Sequence, residues 1–284
     1  MSTMSVPKTY KLFIGGKFPR SESGRSYAVN DASGAFLANA AQASRKDARD
    51  AVVAARAAQP GWAGATAYNR GQVLYRIAEM LDGRAAQFAE EIQAVEGGDL
   101  DAARAQVDAA VASWVWHAGW TDKIAQVAGN ANPVAGPYFN LSVPEPVGVV
   151  AVIAPQRGSS LLGLVQAIAP AITGGSSVVV VGDWFAPLPA STFAGVLATG
   201  DVPGGVVDIL TGSPAEIAPW LASHADVNAL DLLGAGELDW AALQVAAAQT
   251  LTRVQSPRDD VQQSLGRILA FMETKTVWHT KSSS

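Results

Sequence analysis

Residues 147–154 read Val-Gly-Val-Val-Ala-Val-Ile-Ala, a nearly unbroken apolar run bounded by Pro146 and Pro155. A strand without polar alternation has to bury both faces, which places it inside a sheet covered by helices on each side. The same texture recurs at 177–181, 206–210 and 229–233, with helical segments between them at 161–172, 190–199 and 215–223. Strand and helix alternating through four strands require parallel pairing. The expected fold class is therefore α/β, an open parallel sheet with helices on both faces.

Bulk properties narrow the function classes. The 284 residues contain no cysteine, which excludes disulfides, thiolate metal sites and a cysteine nucleophile together. The formal net charge is −5 without any long block of one sign, so neither nucleic acid nor an anionic membrane surface is an expected partner. Residues 1–10 lack the apolar core of a secretion signal, and the longest apolar runs are too short to cross a bilayer. The expectation is a soluble, cytoplasmic protein.

Around the central pattern lie further elements. The segment 10–18 (YKLFIGGKF) alternates about a Gly-Gly pair, as a hairpin does, and a second strand pair fits between Tyr27 and Ala40. Ser44 and Asp47 form an imperfect capping box for a helix running to Ala58 and stopped by Pro60-Gly61. Asn69 is expected to cap a second helix whose Val73, Leu74, Ile77 and Leu81 share a face. Helices at 85–95 and 100–121 follow, the latter carrying Trp114, Trp116 and Trp120, better read as core packing than as a stacking site. Residues 132–146 are rich in Pro and Gly with Tyr138, Asn140 and Ser142 alternating, as in a projecting or edge hairpin. Near the end, Val261, Leu265, Ile268, Leu269 and Met272 recur at helical spacing, Asp259-Asp260 suits the start of that helix, and 274–278 (TKTVW) reads as a strand. The chain thus divides into 1–131, 132–146, 147–256 and 257–284.

The stretches FIGGKF, AARAAQPGWA, NRGQVLYRIAEML, EPVGVVAVIAP, APAITGGSSVVV and PGGVVDILTG, in that order, resemble the aldehyde dehydrogenase family, and METKTVWH is similar to its closing strand. The resemblance implies a Rossmann-like cofactor domain, a catalytic domain and a small β extension that builds sheets across subunits. It assigns Tyr138, Asn140, Ser142, Thr274, Thr276, Val277 and Trp278 to that oligomerisation unit. The family's catalytic block, with its cysteine and its Glu-Leu-Gly-Gly glutamate, should begin after Val254. Here Gln255-Ser256-Pro257-Arg258-Asp259-Asp260 leads straight into the terminal segment.

The cofactor positions implied by the resemblance have also changed. Arg157 or Gly158 stands where the family keeps an oxyanion-binding asparagine, and Val181 and Trp184 stand where it keeps a ribose-side lysine and glutamate. Its Gly-Ser-Thr-Glu pyrophosphate turn reads Gly234-Ala235-Gly236-Glu237, with Ala235 in place of the serine. A hydrogen bond to a charged group contributes roughly 1.5–3 kcal/mol, so several losses weaken binding by orders of magnitude. No cofactor and no metal are expected: Glu90, Glu91, Asp99 and Asp101 read as helix faces or caps.

A serine nucleophile at Ser159 or Ser160 would need a base, and His117, His224 and His279 lie in unrelated elements; helix capping is the simpler role. Arg157, Gly158, Ser159 and Ser160 together could form an anion site at a helix start. The leading expectation is a non-catalytic structural subunit that assembles with a full-length catalytic aldehyde dehydrogenase or with itself. A remnant nucleotide- or anion-binding module and a residual NAD(P)-dependent aldehyde oxidoreductase stay open as alternatives.

Overall fold

The computed structural model describes residues 8–257 and 263–281. Three short strands come first: β1 (Thr9–Tyr10), β2 (Ser26–Asn30) and β3 (Phe36–Ala41), with β3 between an antiparallel β2 and a parallel β1. The 10–18 segment is less of a hairpin than its pattern predicts. It turns at Gly15-Gly16, both at positive φ, and closes through one Ile14–Lys17 bridge, while Phe13 bridges outward to Ile209. Backbone groups on an open sheet edge hold it there in place of a partner leg of its own.

Four helices follow. In α1 (Arg45–Gly64) Ser44 and Asp47 complete the capping box, and buried Asp47 also accepts from Ser21 Oγ at 2.7 Å. The predicted stop at Pro60-Gly61 does not occur. The helix runs on because Trp62 is buried and its indole N–H donates to Ile172 O at 2.9 Å, anchoring the last turn. Helix α2 (Ala67–Asp82) is capped by Thr66, not by Asn69, whose amide is the group that Thr66 Oγ1 satisfies. Helices α3 (Ala85–Glu96) and α4 (Leu100–Trp120) match the periodicity, Asp99 capping the latter, and α5 (Ile124–Ala128) is a short addition. Trp114 is fully buried and stacks on Phe193; Trp116 and Trp120 pack against Ile124, Ile268 and Met272.

Beyond β4 (Asn130–Asn132) and β5 (Tyr138–Pro146) comes the alternating unit. It consists of β6 (Val149–Ile153), α6 (Leu162–Gly174), β7 (Ser177–Val181), α7 (Leu188–Thr199), β8 (Val207–Leu210), α8 (Pro214–Ala222), β9 (Ala229–Asp231), α9 (Trp240–Ala248) and β10 (Arg253–Gln255). The strands are all parallel, in the order β10-β9-β6-β7-β8. Successive residues of β6 enter opposite cores: Val150 and Val152 pack with α2, α3, α4, α6 and α7, and Val149, Ala151 and Ile153 with α1, α8 and α9. That explains an apolar run without alternation. The fifth strand and α9 escape sequence reading, because β10 is three residues with polar ends and the helix is alanine-rich without a clear apolar stripe.

Past the sheet, α10 (Leu265–Leu269) is capped by Ser264, and β11 (Met272–Thr280) pairs antiparallel with β5 from Met272↔Pro146 to Thr280↔Tyr138. With β4 this makes a three-stranded sheet, β11-β5-β4. The helix is shorter than its apolar spacing suggests; Val261 and the Asp259-Asp260 start lie outside the described residues.

Candidate functional site

The chain runs outward from β6 through β7 to β8, then returns to the other side of β6 for β9 and β10. Such a reversal opens a crevice at the carboxyl ends of the strands, where ligands of open α/β sheets bind. A cavity of about 480 Å³ lies there, walled by the loops after all five strands.

One wall is the loop after β6. Gln156 ties it to the loop after β7: its amide N–H donates to Ala154 O and Gly182 O, and its Oε1 accepts from Trp184 N at 2.9 Å. Arg157 has φ 117°, costly for a residue with a Cβ, and its amide donates to Asp183 Oδ2 at 2.9 Å. Asp183 is buried and also accepts from the amides of Phe185 and Ala186; desolvation nevertheless pushes its carboxyl above the usual range. The Arg157 guanidinium lies 3.7 Å from the centre of the Phe185 ring, a cation–π contact. Trp184 stacks on Tyr27 at 4.0 Å, and burial, aided by Asp183, raises the Tyr27 phenol.

The start of α6 is already satisfied from within. Ser160 donates both its amide (2.7 Å) and its hydroxyl to Glu96 Oε1, and Gln106 Oε1 accepts from the amides of Leu161 (3.0 Å) and Leu162 (3.2 Å). Neither Ser159 nor Ser160 is the expected side-chain cap; Leu161 occupies the cap position. A carboxylate of the chain itself thus sits where a bound anion would use these donors. Of the four residues expected to form an anion site, Arg157 and Ser159 face the cavity, Ser160 is turned to Glu96, and Gly158 is exposed outside the cavity lining. Among the described residues no hydrogen bond joins a histidine to Ser159 or Ser160, and His224 Nδ1 accepts from Asp226 N. His117 is buried with Nδ1 2.8 Å from Ser113 O, and His279 lies on β11.

The four changed cofactor positions separate in the same way. Arg157 and Trp184 line the cavity, whereas Val181 and Ala235 are fully buried in the core between the sheet, α1, α8 and α9. Gly234 has its own reason to persist, since a Cβ there would fall 1.9 Å from Ala154 O. Asp183, Phe185 and Ser213 were not singled out by sequence reasoning. The one signal for the first two was a polar residue just past β7 followed by aromatics.

In the second sheet, Asn132 Nδ2 donates to Asn140 Oδ1 (2.6 Å) and Ser142 Oγ (2.8 Å), and Ser142 Oγ meets Thr276 Oγ1 at 2.9 Å. Thr274 and Trp278 share that face, where Trp278 packs edge-on against Tyr138. Val277 faces the other way, opposite Leu141. On that side Phe139, Leu141 and Val143 are 57%, 41% and 40% exposed, an apolar stripe on the face opposite most of the residues expected there.

The aldehyde dehydrogenase family model matches residues 18–256. The chain belongs to the aldehyde dehydrogenase family. Mouse cytosolic 10-formyltetrahydrofolate dehydrogenase is 30% identical over 264 residues, covering 89% of this chain and 28% of that protein. Aldehyde dehydrogenase, cytosolic 1 of Elephantulus edwardii is 31% identical over 250 residues, 86% of this chain and 49% of its own length. The solved structure of HpcC from Thermus thermophilus superposes with a TM-score of 0.81 at 28% identity, over 88% of this chain and 48% of the other. The chain therefore spans half or less of the relatives it matches.

Membership in the aldehyde dehydrogenase family implies a nicotinamide dinucleotide at this crevice, and the residues present do not fit one. A pyrophosphate carries two negative charges, whereas among the described residues the charged lining is one guanidinium, Arg157, and one carboxylate, Glu237. An apolar slot of about 290 Å³ between α8 and α9 adjoins the cavity at Ala215 and Leu238 and has room for a planar ring. It adds no cation. Among the described residues no His, Cys, Asp and Glu cluster is arranged to hold a metal, and no helix is long and apolar enough to cross a membrane.

Proposed function

We propose that this chain is a non-catalytic structural subunit of the aldehyde dehydrogenase family, assembling through its β4–β5–β11 sheet with a full-length catalytic aldehyde dehydrogenase or with copies of itself. The observation that carries this reading is the nine-residue β5–β11 pairing. It forms although only residues 256–264 separate β10 from α10, where the family resemblance places a whole catalytic block. Among the described residues β11 is an edge strand, which gains main-chain hydrogen bonds by strand addition, and the Phe139–Leu141–Val143 stripe supplies apolar area beside it. With no cysteine in the chain, the family's thiol attack on the aldehyde carbonyl has no nucleophile.

The test is the native mass of the purified chain, alone and mixed with a full-length aldehyde dehydrogenase from the same cells. A homo-oligomer, or a mixed species holding both chains, supports the reading. A monomer that elutes apart from the dehydrogenase at micromolar concentration overturns it. NADH formation by the chain alone with a panel of aldehydes would overturn the non-catalytic part.

A further inference from the structure

We infer that the crevice at the strand ends is a binding site for a planar aromatic monocarboxylate, gripped by Arg157. The inference goes beyond the assembly reading and does not depend on it.

Arg157 is held in an unfavourable backbone conformation, with Asp183 fastening its amide and the positive-φ Gly158 following it. Strain of that kind persists where surrounding contacts over-determine it, and it is concentrated at ligand clamps. Its effect here is to lay the guanidinium over the Phe185 ring at the cavity wall. Stacking uses the guanidinium face and leaves the N–H edge directed elsewhere. That edge makes no ion pair or hydrogen bond with a described residue.

Two hydroxyls lining the same cavity, from the loops after β6 and β8, are also without partners among the described residues. Ser159 makes no side-chain hydrogen bond, and Ser213 precedes α8 without capping it. A cation with a planar fork of donors and two free hydroxyls is a receptor for a carboxylate, which takes the fork bidentately. The lining also carries Trp184, Leu233, Leu238, Pro155 and Pro214, apolar area that suits a flat hydrocarbon body.

Charge and size restrict the ligand further. Glu237 on the rim opposes a second negative charge, so a monoanion is favoured over a phosphate ester or a dinucleotide. About 480 Å³ accommodates a fused two-ring acid with space for water. The start of α6 takes no part, because Glu96 and Gln106 fill it.

The experiment is calorimetry on the whole protein with 2-naphthoate, its neutral isostere 2-naphthamide, and NAD. The naphthoate should bind roughly ten- to a hundredfold more tightly than the amide, the range of one charge-assisted contact. Arg157→Ala and Arg157→Gly should bring naphthoate down to the amide's affinity, with melting curves confirming that each variant is folded; should both misfold, the acid–amide comparison on the unaltered protein decides alone. Equal affinity for acid and amide, naphthoate binding unchanged in a folded variant, or no heat at millimolar acid overturns the proposal. So does NAD binding more tightly than naphthoate.

Discussion

Arg267 Nη2 lies 2.6 Å from Asp231 Oδ2, with the two side chains 6% and 0% exposed. One residue belongs to α10 and the other ends β9, so a buried ion pair bolts the terminal segment to the central sheet just where β11 departs toward β5. The Arg267 guanidinium also lies 5.2 Å from the Phe271 ring.

Removing Arg267 takes from buried Asp231 an ion-pair partner held at 2.6 Å. Arg267→Ala is expected to lower the unfolding free energy by about 3–5 kcal/mol, read from urea denaturation. Amide exchange of residues 272–280 should accelerate with it. Unchanged protection along β11 would show that the bolt does not hold the strand.

Two buried groups, Asp208 and His117, contribute to the pH dependence with opposite signs. Asp208, whose Oδ1 accepts from Gly15 N at 2.6 Å, has its carboxyl pushed up to about 7 by burial. The folded state then holds its proton more firmly than the unfolded chain, so its contribution is intact below about pH 4 and is lost as pH rises to about 7. His117 is pulled down to about 4, first by burial and also by Arg267, so its contribution is intact above about 6.5 and is lost as pH falls toward 4. Across that shared window the two slopes oppose each other, while the carboxyls of Asp183 and Glu91, also raised by burial, add to the fall with rising pH. In Asp208→Asn the profile should tilt toward greater stability with rising pH relative to the unaltered chain, with a gain at pH 8 on the order of 4 kcal/mol at most. Melting temperatures across this range check it, and a variant whose profile parallels that of the unaltered chain would refute it.

Glu96→Ala is expected to cost about 1.5–3 kcal/mol, because the amide and hydroxyl of Ser160 lose a charged acceptor. The freed donors should then take an anion from solution. Phosphate should raise the melting temperature of the variant while leaving the unaltered chain unaffected at the same ionic strength.

Leu141→Lys places a charge in the apolar stripe on a side chain already 41% exposed in the chain. It should change the melting temperature little but lower the native mass, as measured by sedimentation. An assembly that survives the substitution would place its interface elsewhere.

Much of the fold was legible because local rules and packing agree. The parallel sheet followed from strands such as Val149–Ile153, apolar at every position, and the Ser44–Asp47 box marked the start of α1. Misreadings came where a distant contact overrode a local signal. Pro60 reads as a stop until Trp62 finds Ile172 O, and Asn69 reads as a cap until Thr66 is seen to take its amide.

The candidate site was only partly legible. Arg157 and Trp184 were visible as residues out of place, but Phe185 and Ser213 reach them only across loops from different strands. Ser160 looked like an anion donor because Glu96, 64 residues away, cannot be assigned to it from pattern. In the second sheet, parity separates Leu141 from Ser142, yet which parity is left uncovered depends on what the sheet packs against.

Taken alone, the order of residues determined that β6 to β9 would be buried parallel strands, that no thiol chemistry is available, and that the chain resembles half of a larger enzyme family's frame. The first two rest on short-range periodicity and composition, which every residue carries with it, and the third on motifs such as FIGGKF and PGGVVDILTG that resemble the family's in the same order. Tertiary structure alone decided that β10 joins the sheet, that Glu96 closes the start of α6, that Val181 and Ala235 turn to the core while Arg157 faces the cavity, and that Arg267 finds Asp231. Each of these is a pairing between groups far apart along the backbone, and its free energy exists only once the intervening segments have packed.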